Sequence, residues 1–122
     1  MGNYSDSSTE SKAAYMERRL TPRYSFVAIT ELKDFATSRK VSGSVEEISR
    51  KGCYVNTMNV LPMGTALNVR ISRGRETLVT NGEVIYLVER RGMGVLFVDT
   101  PADQMKILDS WLAERSSIVA VI

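Results

Sequence analysis

From Tyr24 onward, short apolar runs alternate with polar turns, a pattern that is typical of an all-β protein. In the clearest run, Leu67, Val69 and Ile71 alternate with polar residues, as in a strand with one buried face. The turns between the runs are short, so we expect consecutive strands to pair antiparallel in a closed or nearly closed barrel. The six predicted strands cover residues 24–32, 41–48, 53–57, 65–72, 78–88 and 93–98.

After the last strand the apolar spacing changes to that of a helix. Thr100 followed by proline is a common helix start, and Met105, Leu108 and Leu112 fall on one helical face with Trp111 beside it. The chain is therefore predicted to be mainly β, a six-stranded antiparallel barrel with a C-terminal α-helix. The predicted parts are a flexible leader at 1–14, one domain at 15–117 with its helix at about 101–114, and an apolar tail at 118–122. The tail is expected to dock on the barrel or on a second subunit of a homodimer.

Composition limits the class of protein. With 122 residues, 43% hydrophobic and 25% charged, the chain is long enough for one globular domain. A net charge of +2 is far below the net positive charge of proteins that bind nucleic acid polymers. Cys53 is the single cysteine, so no internal disulfide forms, and the sequence shows neither a membrane-spanning run nor a secretory signal. We therefore expect a cytoplasmic protein without membrane insertion.

The side-chain inventory argues against an enzyme. The chain has no histidine, which removes the commonest general base and metal ligand. Cys53 opens an apolar strand and is predicted to be a buried structural thiol. Glu46 and Glu47 are neighbours on a predicted strand, where successive side chains point to opposite faces, so they should not act as an acid–base pair. No catalytic residue, metal site or cofactor is predicted.

Two short segments carry the functional signal, and a third supports them. Residues 19–23 read RLTPR, with Arg19 and Arg23 in a loop that proline stiffens, and residues 47–52 read EISRKG at the end of the second strand. Residues 92–97 read GMGVLF. The three segments follow one another in this order on a predicted barrel with a terminal helix. With this arrangement the chain resembles the PilZ family. The signature of that family is R-x-x-x-R before the first strand and [D/N]-x-S-x-x-G between the second and third strands. A late strand with a G-x-G-V-x-F-like sequence is typical as well.

The resemblance implies a bacterial receptor for the second messenger cyclic di-GMP. Arginine suits this ligand, because the guanidinium group pairs with phosphate and stacks on purines. A carboxylate at position 47 would accept hydrogen bonds from guanine N1 and N2, Ser49 would add a hydroxyl contact, and Gly52 would allow close backbone approach. The candidate cyclic di-GMP-binding residues are Arg18, Arg19, Arg23, Glu47, Ser49 and Gly52.

One position departs from the family pattern. Glu47 stands where the family has Asp or Asn. The extra methylene displaces the acceptor by roughly 1 to 1.5 Å. Weakened or abolished nucleotide binding is the expected consequence.

The sequence leaves two main hypotheses for the function and a third that is less favoured. In the first, ligand draws the N-terminal arginines onto the barrel, and the ordered segment signals to an unknown protein partner. In the second, the chain is a degenerate PilZ-like module that acts through protein contacts alone. In the third, a barrel binds single-stranded nucleic acid, which the near-neutral charge and the 7% aromatic content disfavour.

Overall fold

The computed structural model describes residues 22–121, and its strands form one closed antiparallel barrel. The elements are β1 (Arg23–Asp34), β2 (Lys40–Ser49), β3 (Gly52–Asn56), β4 (Ala66–Arg73), β5 (Glu76–Val88), β6 (Gly92–Val98) and the helix α1 (Ala102–Val121). Around the barrel the order is β1-β2-β3-β6-β5-β4, and β4 closes the ring by pairing with β1. The predicted fold class and all six predicted strands are confirmed. The predicted leader at 1–14 lies outside the described residues.

Alternation along the strands builds the core of the barrel. In β4, Leu67, Val69 and Ile71 are fully buried, as the sequence pattern predicts. Cys53 is buried as well, which agrees with a structural thiol. Burying an aliphatic side chain of this size contributes roughly 1.5–3 kcal/mol relative to leaving it exposed. Inward-facing residues of the strands therefore supply most of the driving force for closing the barrel.

One expectation about strand neighbours is wrong. β3 and β4 are consecutive in sequence, yet β3 pairs with β6 and β4 with β5. The connection at 57–65 runs past both intervening strands: the Thr57 amide donates to the Arg91 carbonyl, and the Gly64 amide donates to the Val84 carbonyl. Leu61 in this connection is buried in the core. Its burial anchors the long crossing, which local turn chemistry could not reveal.

Helix α1 packs against the barrel through its apolar face. It begins at Ala102, and its backbone is helical to Val121, beyond the predicted end near residue 114. Leu108 is fully buried, and so is Trp111, which the sequence placed only beside the apolar face. The Trp111 ring lies 5.1 Å from that of Phe26, between centroids, and its Nε1 donates to Glu76 at 2.9 Å.

A second group of contacts joins α1 to the barrel at its polar edge. Arg73 makes a two-pronged hydrogen bond to the Glu114 carboxylate, at 2.8 and 3.1 Å. The Arg73 hydrogen bonds, together with its charge, lower the pKa of Glu114, so this carboxylate stays ionised at neutral pH. The Arg73 guanidinium also lies over the Phe26 ring, 5.1 Å from its centroid.

No helix among residues 22–121 is both long and apolar enough to span a membrane.

Candidate functional site

A pocket of about 470 Å³ opens on the outer face of the barrel. Its walls come from the start of β1, the end of β2, the middle of β3, the end of β5 and the β5–β6 turn. The lining residues are Arg23, Glu46, Glu47, Tyr54, Tyr86, Val88 and Arg91. Two of the predicted site residues, Arg23 and Glu47, are among them.

Strand pairing brings Arg23 to Glu47. In the β1–β2 ladder Arg23 lies opposite Ser49, and Ser25 lies opposite Glu47. Arg23 and Glu47 are thus two positions apart along the ladder. Arg23 Nη1 is 3.3 Å from Glu47 Oε1, and the two side chains are 30% and 44% exposed. An ion pair with this exposure contributes about 0–1 kcal/mol to stability. Both groups are therefore positioned by the fold and remain accessible to exchange partners with a ligand.

Ser49 does not line the pocket, and its side chain holds the β2–β3 turn together. It is fully buried. Its hydroxyl oxygen accepts hydrogen bonds from the Lys51 and Gly52 amides, each at 3.2 Å, and the hydroxyl lies 3.3 Å from the Gly52 carbonyl, to which it donates. These contacts set the direction in which β2 ends, two residues after Glu47. The direct ligand contact predicted for Ser49 stays a prediction.

Gly52 is required by the close approach of two strands. A Cβ atom at this position would lie 2.1 Å from the Val95 carbonyl oxygen of β6. Backbone atoms cannot yield as a flexible side chain does, so only glycine allows this pairing. Gly52 thus has a structural reason in this chain, and its predicted contact with ligand stays a prediction. Arg18 and Arg19 lie outside the described residues.

The expectation that Glu46 and Glu47 face opposite ways is wrong. Val45 pairs with Val55 and Glu47 with Tyr54, so Glu46 is an extra residue in β2, a β-bulge. The buried positions on either side are Val45 and Ile48, and both glutamates line the outer pocket. The bulge interrupts the two-residue alternation, so a second carboxylate joins the site.

Two tyrosines that the sequence analysis did not single out line the pocket. Tyr54 and Tyr86 lie on β3 and β5, nearly parallel at 16°, with 6.4 Å between ring centroids. Both strands pair with β6 at Gly94. A Cβ atom at Gly94 would come within 2.1 Å of the Tyr86 ring, so the glycine makes room for it. The outward position of Tyr54, between buried Cys53 and Val55, was the available sequence signal.

Tyr54 keeps its proton at neutral pH. Partial burial, followed by the negative charge of Glu46, raises the pKa of its phenol above the ordinary value. The group therefore offers an O–H donor as well as an aromatic face.

Arg91, in the turn between β5 and β6, supplies a second guanidinium group that the sequence analysis did not single out. The turn is held at both ends, since the Arg91 amide donates to the Val88 carbonyl and its own carbonyl accepts from Thr57, each at 3.0 Å. Its side chain lines the pocket with that of Arg23. Guanidinium groups, carboxylates and phenol rings together suit a ligand that is anionic, aromatic and rich in N–H donors.

Comparisons with known proteins identify the family and the fold of this chain. The model of the family described as PilZ domain matches residues 17–114. The structure of the PilZ domain with c-di-GMP of YcgR from Escherichia coli superposes with a TM-score of 0.69 at 12% identity, covering 84% of this chain and 94% of that one. No curated protein is similar enough in sequence to count as a match.

Two further solved structures share the fold. The inhibitor of motility MotI/DgrA from Bacillus subtilis gives a TM-score of 0.67 at 18% identity, covering 81% of this chain and 51% of that one. The PilZ domain of CeSA from a cellulose-synthesizing bacterium gives 0.60 at 18% identity, covering 75% and 98%. At these identities the likeness concerns the fold alone.

Proposed function

Because this chain belongs to the PilZ domain family, we propose that it is a non-enzymatic receptor that binds cyclic di-GMP in the outer pocket and signals to a protein partner. The single observation that carries the proposal is the pairing of Arg23 with Glu47 in that pocket. Both occupy positions of the family motifs. A similar fold in Escherichia coli YcgR is described with c-di-GMP. A bacterial cytoplasmic location is part of the proposal: the family resemblance implies a bacterial receptor, and a chain with a single cysteine needs no oxidising compartment.

The pocket offers the groups that this ligand needs. Cyclic di-GMP carries two phosphodiester anions and two guanine bases. Arg23 and Arg91 would pair with phosphate oxygens, while the Glu47 carboxylate would accept hydrogen bonds from a guanine edge. The rings of Tyr54 and Tyr86 present aromatic faces against which a base can stack.

Charge balance explains why the N-terminal arginines matter. The pocket lining contains two arginines and two glutamates, so its formal charge is zero. A doubly anionic ligand therefore needs further cations, and Arg18 and Arg19 would bring them. Arg19 precedes Arg23 by four residues, a span of at most roughly 14 Å of extended chain. We call residues 15–22, which include Arg18 and Arg19, the N-terminal arm. The reach of Arg19 is enough to close this arm over a nucleotide held at Arg23.

We expect cyclic di-GMP to slow amide hydrogen exchange in residues 15–22. Contacts from Arg18 and Arg19 to the phosphates would hold the arm against the barrel, and this ordering would present a new surface to the partner. Exchange measured by mass spectrometry with and without nucleotide tests the mechanism. The β4 strand, none of whose residues lines the pocket, serves as the internal control. Equal protection of residues 15–22 in both states would contradict the arm mechanism.

We expect Glu47→Asp to bind cyclic di-GMP about tenfold more tightly than the wild-type protein. Aspartate restores the family residue and withdraws the acceptor by one methylene, and one well-placed hydrogen bond to a charged group is worth roughly 1.5–3 kcal/mol. Isothermal titration calorimetry of both proteins measures the difference. If neither protein binds nucleotide at millimolar concentration, the chain is the degenerate protein-interaction module instead.

A further inference from the structure

A smaller pocket adjoins the outer pocket on the side of β3. Its volume is about 190 Å³, and it is lined by Glu46, Tyr54, Asn56 and Arg91. Three of these residues also line the outer pocket. The two spaces therefore share a wall, and a ligand seated in the larger one reaches the smaller one without crossing the barrel.

The two carboxylates at the β-bulge in β2 differ in the spaces they line: Glu47 lines only the outer pocket, whereas Glu46 lines both pockets. Glu47 is held by Arg23 in the outer pocket, whereas Glu46 accepts a hydrogen bond from the Asn56 side-chain amide at the smaller one. An ionised carboxylate has about four acceptor positions, and this bond uses one of them. Glu46 is thus oriented by its neighbour and keeps acceptor positions for a ligand.

The lining of the smaller pocket selects among chemical groups. A carboxylate repels phosphate and favours a planar group with two adjacent N–H donors. The Watson–Crick edge of guanine presents such donors, N1–H and the N2 amino group. Adenine presents one amino group beside an acceptor nitrogen, which would face the carboxylate oxygen without a hydrogen. Arg91 and the Tyr54 phenol supply further donors for the guanine carbonyl oxygen.

We propose that Glu46 is a second guanine-recognition residue and that the smaller pocket is its base-binding subsite. This inference rests on the proposed function, because it assigns the second guanine of a ligand whose first guanine is read at Glu47. The second base comes either from the same cyclic di-GMP molecule or from a second copy of it.

The test compares Glu46→Gln with the wild-type protein by calorimetry, using cyclic di-GMP and the mixed dinucleotide cyclic GMP–AMP. Glutamine keeps the oxygen that Asn56 contacts but replaces the other acceptor with an N–H donor. We expect the affinity for cyclic di-GMP to fall about 10- to 100-fold, while that for cyclic GMP–AMP changes by less than threefold. The preference of the wild-type protein for two guanines would thereby be lost.

Glu83→Gln is the matched control, since it makes the same chemical change at an exposed position of β5 that lines neither pocket. It should bind both nucleotides as the wild-type protein does. A binding ratio of one nucleotide per chain assigns both guanines to one molecule, and a ratio of two assigns the second guanine to another copy.

Two results would overturn the inference, and they are distinguishable. If the wild-type protein binds cyclic di-GMP and Glu46→Gln leaves its preference unchanged, Glu46 only supports the bulge through Asn56, and the proposed function survives. If the wild-type protein binds neither nucleotide, the proposed function fails, and this assignment fails with it.

Discussion

Replacing Arg23 with alanine will lower the affinity for cyclic di-GMP by about 10- to 100-fold. A charge-assisted contact to phosphate is worth roughly 1.5–3 kcal/mol, and each 1.4 kcal/mol corresponds to a factor of ten. Truncation also releases Glu47 from its ion pair, which leaves an unbalanced negative charge beside the phosphates. Isothermal titration calorimetry at fixed ionic strength measures the effect, because exposed charges are screened by salt.

The same substitution should leave folding almost unchanged, because the Arg23–Glu47 pair is partly exposed to solvent and such ion pairs contribute about 0–1 kcal/mol. Thermal unfolding followed by circular dichroism separates the two effects. Arg70→Ala is the control: it removes an exposed arginine on β4 that does not line the pocket, and its affinity should equal that of the wild-type protein. Undiminished binding by Arg23→Ala would remove the main support for the proposed site.

Replacing Trp111 with alanine will reduce the free energy of unfolding by about 3–5 kcal/mol. The side chain is 1% exposed, packs on Phe26 and donates to Glu76, so truncation leaves a cavity between α1 and the barrel. The loss is a large share of the roughly 5–15 kcal/mol by which a domain is stable. Urea unfolding measures it, with circular dichroism as the signal because Trp111 is the single tryptophan.

Two variants check the origin of this loss. Trp111→Phe retains an aromatic ring without the N–H donor and should lie between alanine and the wild-type protein. Met58→Ala removes a side chain that is 79% exposed and should change stability by less than about 0.5 kcal/mol. A loss below about 1 kcal/mol for Trp111→Ala would show that α1 is not anchored by this residue.

The strands could be predicted because their signal is local. Val69 faces the core while the residues on both sides of it face the other way, because successive side chains of a strand point to opposite faces. This alternation is visible within a few positions of the sequence. The neighbours of each strand were harder to predict. β3 pairs with β6, about 40 residues away, and no local pattern states which distant strand will complete a hydrogen-bonding edge.

The candidate site divides in the same way. Arg23, Glu47, Ser49 and Gly52 stand at the spacing of two motifs, so the sequence pointed to them before any geometry was known. Tyr86 and Arg91 carry no motif in this chain, and they join the site only because β5 and its turn lie beside β3 in the closed barrel.

By itself, the sequence determined the all-β class, the buried face of β4, the terminal helix and the two motifs, since each depends on residues close together in the chain. Tertiary structure alone decided the order around the barrel, the depth of Trp111 and the outward turn of Glu46. The reason is that a bulge or a closing strand pair depends on hydrogen bonds to distant partners. Alternation inside one strand cannot specify them.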